Sequence, residues 1–115
     1  MSKKVIIKRP AEIKTILQTG KYVSNPFFKI AYLPSSSPQS RWAILIGKRY
    51  GKAVERNRIK RQLREILRSI APQLQSAFDL LMIPRRTVEE ISFQLLREKV
   101  HHSFKKEGLL KDAHP

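Results

Sequence analysis

The longest regular pattern in the sequence is a helical repeat of apolar side chains from residue 53 to residue 70, which ends before Pro72. On a helical wheel, at about 100° per residue, these side chains share one face. A helix of this length and pattern is stable only when that face is buried, so it predicts a domain built by packing helices on other elements. The apolar face consists of Ile59, Leu63, Ile66, Leu67 and Ile70.

The charged residues of the same helix are sorted by sign. Glu55, Gln62 and Glu65 lie together on the far side. A solvated helix more often mixes its charges, so the sorting favours a flank that binds phosphates over a surface helix that happens to be basic. Arg58 lies outside the flank, three residues after Glu55, where geometry alone predicts a surface ion pair. The flank, about 100° wide, carries Asn57, Lys60, Arg61, Arg64 and Arg68.

The whole chain is strongly basic. Its 115 residues, enough for one domain, contain 24 Lys and Arg against 9 Asp and Glu, a formal net charge of +15. Nucleic acid is the favoured partner, with an anionic membrane surface second. The absence of cysteine excludes disulfides and thiolate zinc sites. There is neither a signal sequence nor an apolar run of the ~20 residues that span a bilayer, so we expect a cytoplasmic protein without membrane contact.

The remaining patterns predict a single α+β domain, with about four strands in one sheet and three helices. The strand at 41–47 is almost continuously apolar, so we expect it to be buried on both faces and central in the sheet. With the next helix and strand it forms a βαβ unit, which is right-handed by the general rule. In chain order we predict a helix at 11–19, a short strand, a kink at Asn25-Pro26 and a longer strand within 21–33, a loop at 34–38, a strand at 41–47, helices at 53–70 and 88–105 around a strand at 78–83, and a frayed tail at 106–115.

No catalytic or metal site is predicted from the side chains. His101 and His102 are adjacent and therefore diverge on a helix, and neither carboxylate pairs nor a phosphate-binding loop is evident. A sheet beside a basic helix favours RNA, since no helix-turn-helix or zipper context for DNA is present. The aromatic residues at 27–32 suit core packing as well as base stacking. A structural RNA-binding protein and a DNA-compacting protein remain alternatives at this point.

The segment GKRYGKAVERNRIKRQLRE, residues 47–65, resembles the protein subunit of bacterial ribonuclease P. The resemblance rests on the triplet RNR, followed by IKR and LRE after a basic, glycine-bearing loop. It extends over nearly the whole chain, through an early KR, a GK after the first helix, VSNPFF, and IPRR before the last helix.

This resemblance implies an α-β sandwich with an unusual left-handed βαβ crossover, which overrides the right-handed default. It implies Mg²⁺-dependent endonucleolytic removal of the 5′ leader from precursor tRNA, with the active site and the metal ions in the RNA subunit. The protein alone would then bind no cofactor. The implied partners are the catalytic RNA and precursor tRNA. The complex would contain one protein per RNA subunit, and the protein alone would be a monomer.

Two groups of residues are implied by matching positions. A cleft between the first helix and the open face of the sheet is implied to take the leader. In that cleft this chain has aliphatic residues at positions that are usually aromatic in the family. We therefore expect aliphatic contact and arginines to grip the leader there. The residues for the RNA subunit are Lys52, Arg56, Asn57, Arg58, Lys60, Arg61, Arg64 and Arg68; those for the leader are Ile13, Leu17, Phe28, Ala31, Lys48, Arg49, Arg85 and Arg86.

Overall fold

The computed structural model describes residues 6–87 and 90–111 and has the predicted order of elements. The prediction of an α+β fold with three helices and four strands is confirmed in this part of the chain. Short 3₁₀ turns at Lys48–Tyr50 and Ala71–Gln73 precede and follow the long helix. The elements are α1 (Pro10–Thr19), β1 (Lys21–Ser24), β2 (Phe28–Pro34), β3 (Arg41–Ile44), α2 (Ala53–Ile70), β4 (Phe78–Pro84) and α3 (Phe93–Lys106).

Two local features set the path from α1 into the sheet. Pro10 occupies the first turn of α1, and Gly20 ends the helix where a Cβ atom would lie 2.5 Å from the Ile16 carbonyl oxygen. Only glycine fits so close an approach of two backbones. The break predicted at Asn25-Pro26 is confirmed, but it is a tight turn between antiparallel β1 and β2 instead of a kink. The Asn25 Oδ1 accepts hydrogen bonds there from the backbone N–H groups of Phe27 and Phe28 at 2.7 and 3.0 Å.

The four strands form one mixed sheet in the order β1-β2-β4-β3. β2 is antiparallel to β1 and β4, whereas β3 is parallel to β4, so β3, α2 and β4 form the expected βαβ unit. The expectation that β3 is central is wrong: among the described strands it pairs with β4 alone, and on its outer side the Trp42 carbonyl accepts a hydrogen bond from the Ile7 N–H at 2.8 Å. The hand of the crossover stays a prediction.

Helices cover both faces of the sheet, which explains the apolar sequence of an edge strand. Trp42 packs into the core beneath α2 and α3, and its neighbour Ala43 is buried with Ile16 of α1 on the other face. The two sides are unequal, since of the buried residues that the structure describes seventeen belong to the α2 and α3 side and five to the α1 side. The main core therefore lies beneath α2 and α3.

Arg41 ties α1 to the sheet. Its guanidinium is 2.8 Å from the Asp79 carboxylate in β4 and 3.3 Å from the Glu12 carboxylate in α1. The hydrogen bond with Asp79 is the main cause of the raised pKa of Arg41. These two ion pairs fix one end of α1 over the sheet. Beside the other end of α1, the same face of the sheet is left open.

The last helix starts later than predicted and ends at Lys106, next to the predicted end at residue 105. It begins at Phe93, where the Ser92 Oγ accepts a hydrogen bond from the Leu95 N–H at 3.1 Å. Glu90 therefore precedes the helix, and Val88 and Glu89 lie outside the described residues. The expected frayed tail is wrong as far as residue 111: Leu109 is buried, and the Lys111 N–H donates to the Gln73 carbonyl at 2.7 Å. Residues 112–115 lie outside the described part.

Candidate nucleic-acid interface

The loop before α2 is built around Gly51. Its φ of 157° favours glycine, and a Cβ atom there would overlap the side chains of Glu55 and Arg86. Glu55 accepts a hydrogen bond from the Lys52 N–H at 2.9 Å, which satisfies a free donor at the start of the helix. Arg56 donates to the Gly51 carbonyl at 2.5 Å. The first arginine of the RNR triplet therefore braces the loop as well as carrying charge.

Two further arginines are held by carboxylates beside this loop. Arg86 lies 3.0 Å from Glu55 and donates to the Tyr50 carbonyl at 2.6 Å, and Arg58 lies 2.6 Å from Glu90. The hydrogen bond from Arg86 is the main cause of the lowered pKa of Glu55. The predicted surface pair of Arg58 exists, but its partner is Glu90 instead of Glu55. These side chains surround a cavity of about 180 Å³.

The basic flank of α2 is different, because its charges are not neutralised. Among the described residues its cations make no ion pair, and Asn57 is exposed without a hydrogen bond to its side chain. The apolar face of the same helix is buried as predicted. The helix thus presents a row of uncompensated charge to the outside: Lys60, Arg61, Arg64 and Arg68.

The two strand residues predicted for the leader cleft are not available there. Phe28 is fully buried and packs beneath α2 and α3, on the face opposite to α1. That prediction is wrong because successive strand residues point to opposite faces, and β2 turns Phe28, Ile30 and Tyr32 to the main core. Ala31 is on the correct face, but α1 covers it completely.

Beside α1, part of the sheet face is left uncovered. We call this surface, formed by Tyr22, Lys29 and Arg85, the floor; Tyr22 and Lys29 were not identified from the sequence. Tyr22 pairs with Ala31 across β1 and β2, is 43% exposed, and donates a hydrogen bond to the Leu17 carbonyl at 2.5 Å. The Lys29 Nζ lies 5.4 Å from the centre of the Tyr22 ring, and Arg85 donates to the Ser24 Oγ at 3.0 Å. The alternation of side chains along β1 could have indicated Tyr22, but only the pairing register of the sheet determines on which face its ring lies.

The other predicted leader residues lie in separate places. Leu17 of α1 is 37% exposed and lies beside this floor, whereas Ile13 of α1 is half-buried and lines a cavity at the β3 side of the sheet. Lys48 and Arg49 are exposed in the 3₁₀ turn before α2. Arg86 is hydrogen-bonded to Tyr50 and Glu55 at the loop before α2. It is therefore separated from Arg85, which is hydrogen-bonded to Ser24 at the floor.

Comparison with known proteins decides the family. The ribonuclease P family model matches residues 1–108. The chain belongs to the ribonuclease P protein family. It is 36% identical to the ribonuclease P protein component of Streptococcus pyogenes serotype M5 over 110 residues, which cover 96% of this chain and 92% of the relative. It is also 36% identical to that of Onion yellows phytoplasma over 98 residues, 84% and 70% of the two chains.

Solved structures of the family have the same fold. A mutant of the Staphylococcus aureus RNase P protein with defective mRNA degradation activity superposes with a TM-score of 0.87 at 26% identity, over 96% of this chain and 93% of that one. The RNase P protein from Thermotoga maritima gives 0.78 at 29% identity, over 87% and 94%. Both surfaces described above therefore belong to a ribonuclease P protein.

The side chains on the described surfaces are suited to binding phosphates more than to catalysing a reaction. The described residues include no cluster of three or more His, Cys, Asp or Glu side chains that could hold a metal ion, and no helix among them is long and apolar enough to cross a membrane. What the surfaces present is a row of guanidinium and ammonium groups on α2 and an aromatic ring with cations on the sheet. Such groups bind phosphates and stack on bases.

Proposed function

We propose that this chain is the protein subunit of ribonuclease P and binds two RNAs with two different surfaces. The basic flank of α2 binds the catalytic RNA subunit, and the floor beside α1 binds the 5′ leader of precursor tRNA. The observation that carries the proposal is the RNR helix, whose flank cations have no acidic partner in the described part of the chain. Family membership supports the identity of the first RNA.

Binding to the RNA subunit is electrostatic. A protein that neutralises phosphates releases the counterions condensed on them, so the affinity falls with rising salt. If six to eight phosphates are neutralised, the logarithm of the association constant falls against the logarithm of salt with a slope of roughly five to seven. A slope near one would contradict an extended contact.

Leader binding follows from the floor of the α1 face. Tyr22 offers an exposed ring for an unpaired base, Lys29 and Arg85 offer charge for its phosphates, and Leu17 offers apolar contact at the edge. Base stacking on an aromatic ring tolerates any base, which suits a strand whose sequence varies. Tyr22 thus restores the stacking surface that the aliphatic residues of α1 do not provide.

The protein contributes positioning and charge to the reaction. We assign the Mg²⁺ ions that catalyse leader removal to the RNA subunit, because the described part of this chain offers no ligand cluster for them. The cations of α2 lower the repulsion between two RNAs, and the α1 face holds the leader so that the scissile phosphate meets the RNA active site. Such positioning lowers the entropic cost of reaching the transition state.

Reconstitution tests the proposal. The protein is added to a bacterial ribonuclease P RNA at a Mg²⁺ concentration where the RNA alone is slow, and removal of the leader from precursor tRNA is measured. We expect a large stimulation of cleavage and a mature 5′ end. Lack of stimulation, with binding to ribosomal RNA instead, would identify a structural RNA-binding protein; equal affinity for duplex DNA would favour DNA compaction.

A further inference from the structure

Two cavities lie between α2 and the outer edge of β3, where Ile7 is hydrogen-bonded to Trp42. Lys60, Arg64 and Arg68 are spaced four residues apart, so they form one ridge along the helix, with steps of about 6 Å along its axis. Lys60 and Arg64 line a cavity of about 310 Å³ against β3, and Arg68 lines a second cavity of about 560 Å³ at the end of α2. Trp42 of β3 lines both cavities.

The second cavity, beside Arg68, has the size and chemistry of a base-binding site. Its walls are mainly apolar, and its polar side chains are Gln39 and Ser40 in the loop before β3, Ser76 before β4, and Arg68. Apolar walls with a few polar groups are typical of sites for flat organic ligands. The walls are formed by Pro38, Gln39, Ser40, Trp42, Ala71, Pro72, Leu74, Ser76 and Ala77.

Trp42 adds an independent sign of a missing partner. Only 4% of the residue is exposed, and its indole Nε1 has no hydrogen-bond acceptor among the described residues. Buried indole N–H groups normally have a partner, so an unpaired one calls for an explanation. Trp42 lines the Arg68 cavity, so a carbonyl oxygen on a base bound there would be a candidate acceptor once the side chains that cover Nε1 move aside.

We propose that the Arg68 cavity binds one unstacked nucleobase of the ribonuclease P RNA subunit. The phosphates of the same strand lie along Lys60, Arg64 and Arg68, and the base turns inward between Pro72 and Trp42. This inference rests on the proposed function and extends it from attraction of phosphates to a specific pocket. RNA is the occupant because three cations without ion pairs among the described residues run along α2 and end at Arg68 in the cavity wall, and because an unpaired RNA base is flat and partly polar.

The chain contains one tryptophan, so its fluorescence reports on these cavities directly. The full-length protein is titrated with a ribonuclease P RNA, and Trp42 emission is followed while the affinity is measured separately with labelled RNA. We expect quenching that saturates together with binding. Ala71→Leu, which fills the cavity, should weaken RNA binding about tenfold and reduce the quenching. Arg68→Gln should lower the salt slope by about one.

Lys106→Gln on α3 is the matched control for the loss of one charge, and it should leave the quenching unchanged. RNA binding with unchanged Trp42 emission and a wild-type affinity of Ala71→Leu would overturn the pocket while the proposed function stands. Quenching by precursor tRNA alone would overturn the choice of the RNA subunit. Absence of binding to ribonuclease P RNA would overturn both proposals together.

Discussion

The guanidinium of Arg58, the last residue of the RNR triplet, lies 2.6 Å from the carboxylate of Glu90 in the segment before α3. Both side chains are largely exposed, at 46% and 72%, so exchange of the carboxylate for a phosphate would involve little desolvation. In the proposed complex, RNA would compete with Glu90 for Arg58, whereas Arg61 and Arg64 have no such competitor among the described residues.

Removal of this competitor should strengthen RNA binding. We expect Glu90→Gln to raise the affinity for the RNA subunit about two- to fivefold at low salt, the range set by an exposed ion pair. Glu98→Gln on α3 removes the same charge elsewhere and controls for net charge. In an Arg58→Ala background, which itself weakens assembly, the gain from Glu90→Gln should disappear. An equal gain from both glutamate variants would contradict the competition.

Each cation of the basic flank of α2 should contribute separately to the salt dependence of RNA binding. Arg61→Gln removes a cation that has no ion pair in the described structure, so the salt slope of RNA binding should fall by about one. Arg86→Gln removes a cation already paired with Glu55, and its effect on the slope should be smaller. Binding isotherms at several salt concentrations give both slopes, and the reverse order would contradict the assignment of the free flank.

Leader binding should depend on the Tyr22 ring. We expect Tyr22→Ala to weaken binding of precursor tRNA about tenfold, because stacking of a base on an aromatic side chain is lost. Tyr22→Phe is the matched control, since it keeps the ring and removes only the hydrogen bond to Leu17. Arg85→Ala should show a defect of the same kind. Both defects should vanish with tRNA that lacks a leader; a loss that persists there would contradict the site.

Stability should fall at high pH through Tyr32. Its hydroxyl donates to Glu107 at 2.6 Å, and burial, followed by this hydrogen bond, raises the pKa of Tyr32 to about 12. The pKa in the folded state exceeds the ordinary value of 10, so the stabilising contribution is complete below pH 10 and is lost as the pH rises through about 12. We expect a loss on the order of 2 kcal/mol in the free energy of unfolding. Tyr32→Phe should lack this component of the pH dependence in denaturant titrations.

Much of the fold was predictable because it depends on local patterns. The period of α2, the break between strands at Asn25 and the apolar runs of the strands are encoded within a few residues each. The edge position of β3 was not predictable in the same way. Its apolar sequence reports burial of its two faces, and helices provide that burial whether or not a second strand lies alongside.

The candidate site was predictable where a single helix defines it. The basic flank of α2 follows from residue spacing alone, but the misplacement of Phe28 and the omission of Tyr22 both arise from strand register. A shift by one residue exchanges the two faces, and pairing between distant strands decides the register. Glu90 was missed as the partner of Arg58 because 32 positions separate them in the chain.

The unequal cores on the two faces of the sheet have a consequence for motion. α1 buries only Ile16 fully, whereas α2 buries five residues, so α1 can detach at a lower free energy than global unfolding. Amide hydrogens of α1 should therefore exchange with solvent faster than those of α2. One wall of the proposed leader surface would then adapt to strands of different shape, while the helix proposed to bind the RNA subunit would keep a fixed form.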